Sequence, residues 1–229
     1  ATLNEAFYPA DAGQSHSFEV LDRGSSTSRS ITMTPTEITK NPVQNVSVVT
    51  TSSGAVGYLT FNDHIATAEQ ELIDAVTFLK DSDITDLVLD LRYNGGGYLD
   101  IANEMAFMIA GPTKASGQTF SLQQWNDQHP SINPVTGQAI SPRRFHDSAQ
   151  GFSAAEGAAL PYLSLSRVYA LTTNDTCSAS EAIMNGLRGI DVEVIQIGST
   201  TCGKPYGFYG LENCGTTYFT TQFRGVNAK

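Results

Sequence analysis

Charge is scarce in this sequence. Asp, Glu, Lys and Arg together make up 16% of 229 residues, where about a quarter is usual. Basic residues are the scarcer sign, 13 against 23 acidic, for a net charge of −10. So acidic a chain repels phosphate backbones, which argues against general nucleic-acid binding. Long apolar runs are absent too. The longest candidate, around Ala106–Ala110, falls far short of the ~20 residues needed to span a bilayer, so no membrane-spanning helix is expected. There are only three cysteines, too few for a disulfide framework. Cys202 and Cys214 are the pair expected to join, across a Gly- and Tyr-rich loop, leaving Cys177 free; three reduced thiols are the alternative. His16, His64, His129 and His146 never fall at metal-ligand spacing with one another or with cysteine. Neither a metal nor another cofactor is expected.

What is present is enough for a core. Hydrophobic residues make up 40%, and the length suits one large domain or two small ones. The chain starts at Ala1 without a Met and stops in an extended-looking stretch around Phe223–Lys229, so a processed piece or fragment is expected. Residues 1–45 read as a separate small β unit. Phe18-Glu-Val-Leu and Ser30-Ile-Thr-Met-Thr alternate on either side of a turn at Arg23-Gly-Ser-Ser, and Pro35 and Pro42 mark a linker. Thereafter strands and helices alternate: Val56–Phe61 as strand, Ala66–Lys80 as helix, Leu87–Leu91 as a strand buried on both faces, and Tyr98–Ala110 as helix. Thr119–Trp125 reads as a strand. The stretch from Asn126 to Leu160 reads as long and irregular, with a short helix at Ala154–Leu160. Arg167–Leu171, Ala179–Arg188, Val192–Ile197 and Thr216–Phe223 then read as strand, helix, strand, strand. The class is α/β with a mostly parallel sheet.

Four segments carry chemistry-bearing residues. In Thr176-Cys-Ser-Ala-Ser-Glu181, Ser178 and Glu181 match a capping box. The same serine could be a nucleophile at a strand-to-helix junction, with the Ala179 N–H and the helix dipole facing an oxyanion. Gly198-Ser-Thr-Thr-Cys-Gly-Lys204 nearly spells a phosphate-binding loop, but Pro205 stands where Ser or Thr would hold magnesium. Lys204 is then either a surface lysine or a general base kept neutral by apolar neighbours such as Tyr206, Phe208 and Tyr209. Asp90-Leu-Arg-Tyr-Asn-Gly-Gly-Gly97 lacks the last glycine of a dinucleotide loop, where Asp100 sits. It reads as a tight turn, or as bare N–H groups of Gly96 and Gly97 facing a substrate oxygen. Asp90 and Arg92 read as bonding loops around that turn. His64, just past a strand, is a candidate base for Ser178.

In order along one chain, Val56-Gly-Tyr-Leu, Asp90 to Gly97, Ser178-Ala-Ser-Glu181 and Thr201-Cys-Gly-Lys204 resemble the S41 peptidases, the C-terminal processing or tail-specific proteases. The resemblance covers about residues 55–210. It implies a crotonase/ClpP-like serine protease core over 46–229, truncated at its C-terminus. Residues 1–45 resemble the C-terminal part of the PDZ domain that commonly precedes such a core. It further implies a Ser–Lys dyad of Ser178 and Lys204, with an oxyanion hole from Ala179 and a glycine of the triple-glycine turn, Gly96 first. The implied reaction is hydrolysis of unfolded or C-terminal segments of protein or peptide substrates through an acyl-enzyme. Two alternatives stand beside it: a non-catalytic peptide-binding scaffold, and a Ser–His variant using His64. Phe208 stands where many members have a glutamine thought to orient the lysine, and Ser199 where many have Glu. Asp175, Thr201 and Glu181 are the candidates for holding Lys204. The resemblance also implies export, to the periplasm or cell exterior, with an envelope anchor upstream.

Overall fold

The computed structural model describes residues 3–229; Ala1 and Thr2, the first positions of the expected N-terminal unit, lie outside the described residues. The chain divides into two units, one ending at Lys40 and one running Asn41–Lys229.

The first unit holds a short helix, α1 (Leu3–Phe7), and an antiparallel hairpin, β1 (His16–Val20) with β2 (Arg29–Met33). Phe18 sits opposite Ile31, and the Phe7 ring stacks on Phe18 at 5.0 Å. The Arg29 guanidinium pairs with Asp22 at 2.8 Å in the turn.

In the second unit the order is β3 (Val43–Thr51), β4 (Gly54–Phe61), α2 (Ala68–Asp81), β5 (Asp86–Asp90), α3 (Leu99–Ala110), α4 (Pro112–Ala115), β6 (Thr119–Gln124) and β7 (Arg143–Arg144). It continues β8 (Arg167–Thr172), α5 (Ala179–Gly189), β9 (Glu193–Gly198), β10 (Tyr206–Gly207), β11 (Leu211–Asn213), β12 (Thr216–Tyr218) and β13 (Phe223–Val226). Five strands form the central sheet in the order β3-β4-β5-β8-β9. β4, β5, β8 and β9 run parallel, and β3 is antiparallel at the edge. β5 is the middle strand. Leu87 and Leu89 are buried on one of its faces and Asp86 and Asp90 on the other, as a strand covered on both faces requires. α3 is buried all round from Ile101 to Ala110, the polar Asn103 and Glu104 included, and it packs on both α2 and α5. A second sheet, β10-β13-β6-β7, stands against α5 through β6.

The structure differs from the sequence expectations in three elements. β3 falls partly on residues read as linker and partly on residues given no element; its Val-x-x-Val-x-Val pattern is half exposed because it flanks the sheet on one side only. No helix forms at Ala154–Leu160. The Gly157 and Leu160 N–H groups instead bond across to Ala149 and Asp147, and Gly157 turns the chain at φ +79°. The expected strand Thr216–Phe223 splits, because β12 folds back on β11 through Cys214 and Gly215, both at positive φ, and β13 begins only at Phe223.

Candidate active site

Parallel strands send all their C-terminal ends to one edge of a sheet, and the loops leaving those ends form a crevice. Here β4 leads to His64, β5 to the triple-glycine turn, β8 to Ser178 and β9 to Lys204. Strand order therefore sets the neighbours: Ser178 has the glycine turn on one side and the Lys204 loop on the other. His64 belongs two strands away from Ser178.

Ser178 stands at the head of α5 with φ +57° and ψ −111°, a strained conformation for a residue with a side chain. The capping-box arrangement with Glu181 is present. Its firm half is the Ser178 N–H donating to the Glu181 carboxylate at 2.8 Å; the serine hydroxyl makes no full cap hydrogen bond. The Glu181 carboxylate also accepts from Gly203 N–H at 2.8 Å, Lys204 N–H at 2.9 Å and the Thr201 hydroxyl at 2.7 Å. Burial pushes this carboxyl up, but the bonds from Thr201, Lys204, Ser178 and Gly203 outweigh it and hold the pKa below the ordinary value. Glu181 thus fastens the backbone of the lysine loop to the first turn of α5. It holds that backbone and leaves the amine to the cleft.

The turn on the other side is organised by Asn94, fully buried and passed over in the sequence reading. Its amide nitrogen donates to Phe61 O at 2.9 Å, and its Oδ1 accepts Gly96 N–H at 3.0 Å and faces His64 Nδ1 at 2.9 Å. Its backbone carbonyl accepts Cys177 N–H at 3.1 Å and the Ser180 hydroxyl at 3.0 Å. One residue therefore clamps the glycine turn, His64, and Cys177 and Ser180 on either side of Ser178. Gly96 lies against the serine: a Cβ there would meet Ser178 Cβ at 2.8 Å and Ala179 N at 2.9 Å. A Cβ on Gly97 would meet the His64 carbonyl oxygen at 2.3 Å. Gly96 N–H is taken by Asn94, whereas the N–H groups of Gly97 and Ala179, both in the cleft lining, have no hydrogen-bond acceptor among the described residues.

Lys204 and Ser178 line the same cleft of about 890 Å³, with Gly97 and Ala179. The amine lies over the Phe208 ring, 5.4 Å from its centroid. The dry surroundings expected from Tyr206, Phe208 and Tyr209 are only partly formed: Lys204 is exposed, as are Tyr206 and Phe208. The backbone bonds to Glu181 hold this loop at the cleft wall, open to solvent. His64 is fully buried against Phe61, ring centroids 4.4 Å apart. Burial pushes its pKa down to about 4. Because Asn94 Oδ1 is an acceptor, His64 Nδ1 carries the proton and Nε2 is left bare, buried and without a partner. Asp90 accepts from Arg92 and from the Tyr58 hydroxyl, both at 2.7 Å, and steadies the turn from beneath.

The expected Cys202–Cys214 disulfide is overturned. Cys177 is bonded to Cys202, with Cα atoms 5.2 Å apart, and Cys214 is free and exposed in the β11–β12 turn. The cause is strand order: β8 and β9 are parallel neighbours, and Cys202 N–H donates to Thr176 O at 3.1 Å. The residue before Ser178 is thereby tied to the residue two before Lys204.

The family model for peptidase family S41 matches residues 55–207. The chain belongs to peptidase family S41. Among solved structures, an S41 protease from Bacteroides fragilis is 24% identical with a TM-score of 0.66, covering 95% of this chain and 56% of that one. A photosystem II D1 C-terminal processing protease is 21% identical with a TM-score of 0.57, covering 95% of this chain and 52% of that one. At these identities the likeness speaks for the S41 fold. The chain spans little more than half the length of either structure. No curated protein matches it.

Proposed function

We propose that this chain is the catalytic core of a serine endopeptidase with Ser178 as nucleophile and Lys204 as general base. The observation that carries the reading is the strained Ser178 at the head of α5, in one cleft with Lys204 and with the acceptor-free N–H groups of Ala179 and Gly97. Neutral Lys204 takes the hydroxyl proton as Oγ attacks a peptide carbonyl, and the two N–H groups receive the developing oxyanion. The lysine hands the proton to the leaving amine, and water then cleaves the acyl-enzyme. A substrate chain lying in the cleft excludes water from the amine, which the open loop alone does not do. Unfolded or C-terminal protein segments suit a cleft of this size. Export belongs to the same proposal, supported by the Cys177–Cys202 bond, since such bonds persist in oxidising compartments. So does the PDZ-like reading of the N-terminal residues, supported by the β1–β2 hairpin.

A Ser–His variant is the second reading, favoured by one observation: His64 presents a bare, buried Nε2 with its Nδ1 held by Asn94. Strand order speaks for the lysine, since its loop adjoins that of Ser178 and the His64 loop does not. Hydrolysis of an unfolded protein by the full-length enzyme separates the two. Ser178→Ala and Lys204→Ala should each cost about a thousandfold or more in rate, while His64→Ala retains activity in whatever fraction folds. Loss on His64→Ala with retention on Lys204→Ala reverses the assignment.

A further inference from the structure

The cleft has a charge opposite to that of the chain. Besides the general-base Lys204, its charged lining consists of Arg143, Arg188 and Lys229 against one carboxylate, Glu181. That carboxylate is consumed by its own loop, as described above. None of the remaining 22 acidic residues (23 minus Glu181) lines the cleft, although they outnumber all basic ones. Two of the cations have partial counter-charges set outside the lining: Arg143 pairs with Asp100 and Lys229 with Asp191. Arg188 is exposed, and its guanidinium has no hydrogen-bond or ion-pair partner among the described residues.

Position along α5 gives this charge an address. Ser178, Glu181, Ala182, Asn185 and Arg188 all line the cleft, spaced three and four residues apart on one helix face, so α5 forms a floor running from the serine to Arg188. Ten residues of helix rise about 15 Å. An extended peptide covers that distance in about four or five residues. Leu122 and Val226 of the second sheet add apolar lining to the same cleft.

From this we infer that the cleft selects peptide segments carrying Asp or Glu side chains four to five residues from the scissile bond, with Arg188 as the specificity-determining residue. The inference rests on the peptidase reading of the same cleft. Arg188 presents two parallel N–H groups to a carboxylate, and an acidic segment is drawn toward a cationic cleft in a chain that otherwise repels it.

The test uses full-length protein bearing Ser178→Ala and fluorescein-labelled twelve-residue unstructured peptides. One peptide carries Glu at the fourth and fifth positions to either side of the centre, and its twin carries Gln there. Binding is read by anisotropy at low salt. The Glu peptide should bind about fivefold or more tightly, the upper end for an exposed charge pair, with the advantage shrinking as salt rises. Adding Arg188→Glu should abolish or invert the ratio, and a melting curve shows that this exposed residue has left the fold intact. Equal affinity for the two peptides overturns the inference, as does a preference that survives Arg188→Glu. Hydrolysis of the same peptides by the Ser178-bearing enzyme judges the peptidase reading separately: acid-selective binding without cleavage sinks that reading and leaves the selectivity standing.

Discussion

At the scale of single residues, the three glycines of the turn are not equivalent. Gly95 has open space where a Cβ would go, and its φ is not positive. Gly96 has φ +100°, and its missing Cβ is what lets Ser178 and the Ala179 N–H approach. Gly95→Ala should therefore leave stability and activity near those of the parent. Gly96→Ala should cost roughly 1–3 kcal/mol of stability from backbone strain and displace the serine. Melting curves and covalent labelling of Ser178 by a fluorophosphonate check the pair. If Gly96→Ala labels as fast as Gly95→Ala, the turn does not position Ser178. Asn94 acts at the same scale, since its side chain and carbonyl hold the glycine turn and the serine loop together.

At the scale of elements, the site is a junction of four loops sewn together by Asn94, Glu181 and the disulfide. The Cys177–Cys202 bond closes a segment with a separation of 25 residues, which by chain entropy restrains the unfolded state by about 3 kcal/mol. Reduction should lower the melting temperature and, because it frees the lysine loop from the serine loop, lower activity as well. Alkylation with mass analysis should find one reactive thiol, Cys214, before reduction and three after; a parent protein unaffected in both melting and rate by reduction would contradict the tie. Alternation and apolar runs made β4, β5, α2, α3, β8 and α5 legible in the sequence, because burial on a fixed face leaves a period. Ser178, Lys204 and the triple glycine were legible as motifs. The disulfide partner was not, since it depends on β9 lying beside β8, a fact of strand order that no local pattern carries. The role of Asn94 was hidden for the same reason: every group it binds comes from another strand's loop or from its own backbone turn.

At the scale of the whole molecule, two buried titrations outside the cleft set how stability follows pH. Glu69 and Glu104 are both fully buried. Gln150 N–H donates to both, at 2.7 and 2.9 Å, and Gly151, Ser153 and Ala154 N–H groups complete the shell around Glu69. Two carboxylates so placed do not both ionise. Burial, helped by the charge of Glu69, pushes Glu104 up to about 8, while the backbone donors outweigh burial at Glu69 and hold it low. Folded Glu104 keeps a proton that the unfolded chain gives up near pH 4.5. Its contribution is therefore complete below about 4.5 and drains away as pH rises to about 8. His64 has the opposite slope: buried neutral, with its pKa pushed down to about 4, it contributes fully above 6.5 and loses that contribution as pH falls toward 4. Between about 4.5 and 6.5 the two slopes offset each other. Above 6.5 only Glu104 acts, and below 4.5 the loss from His64 is joined by the paired carboxylates Asp86, Asp90 and Asp100, whose pKa values are all held down. The melting temperature should therefore fall by about 4 °C between pH 6.5 and 8 and level off beyond. Glu104→Gln keeps the shape of the protonated acid without its titration, so its melting temperature should be flat over that interval. Parent and variant melting curves in parallel from pH 6 to 9 decide the matter. Parallel declines in the two proteins would place the alkaline loss elsewhere than in this carboxylate pair.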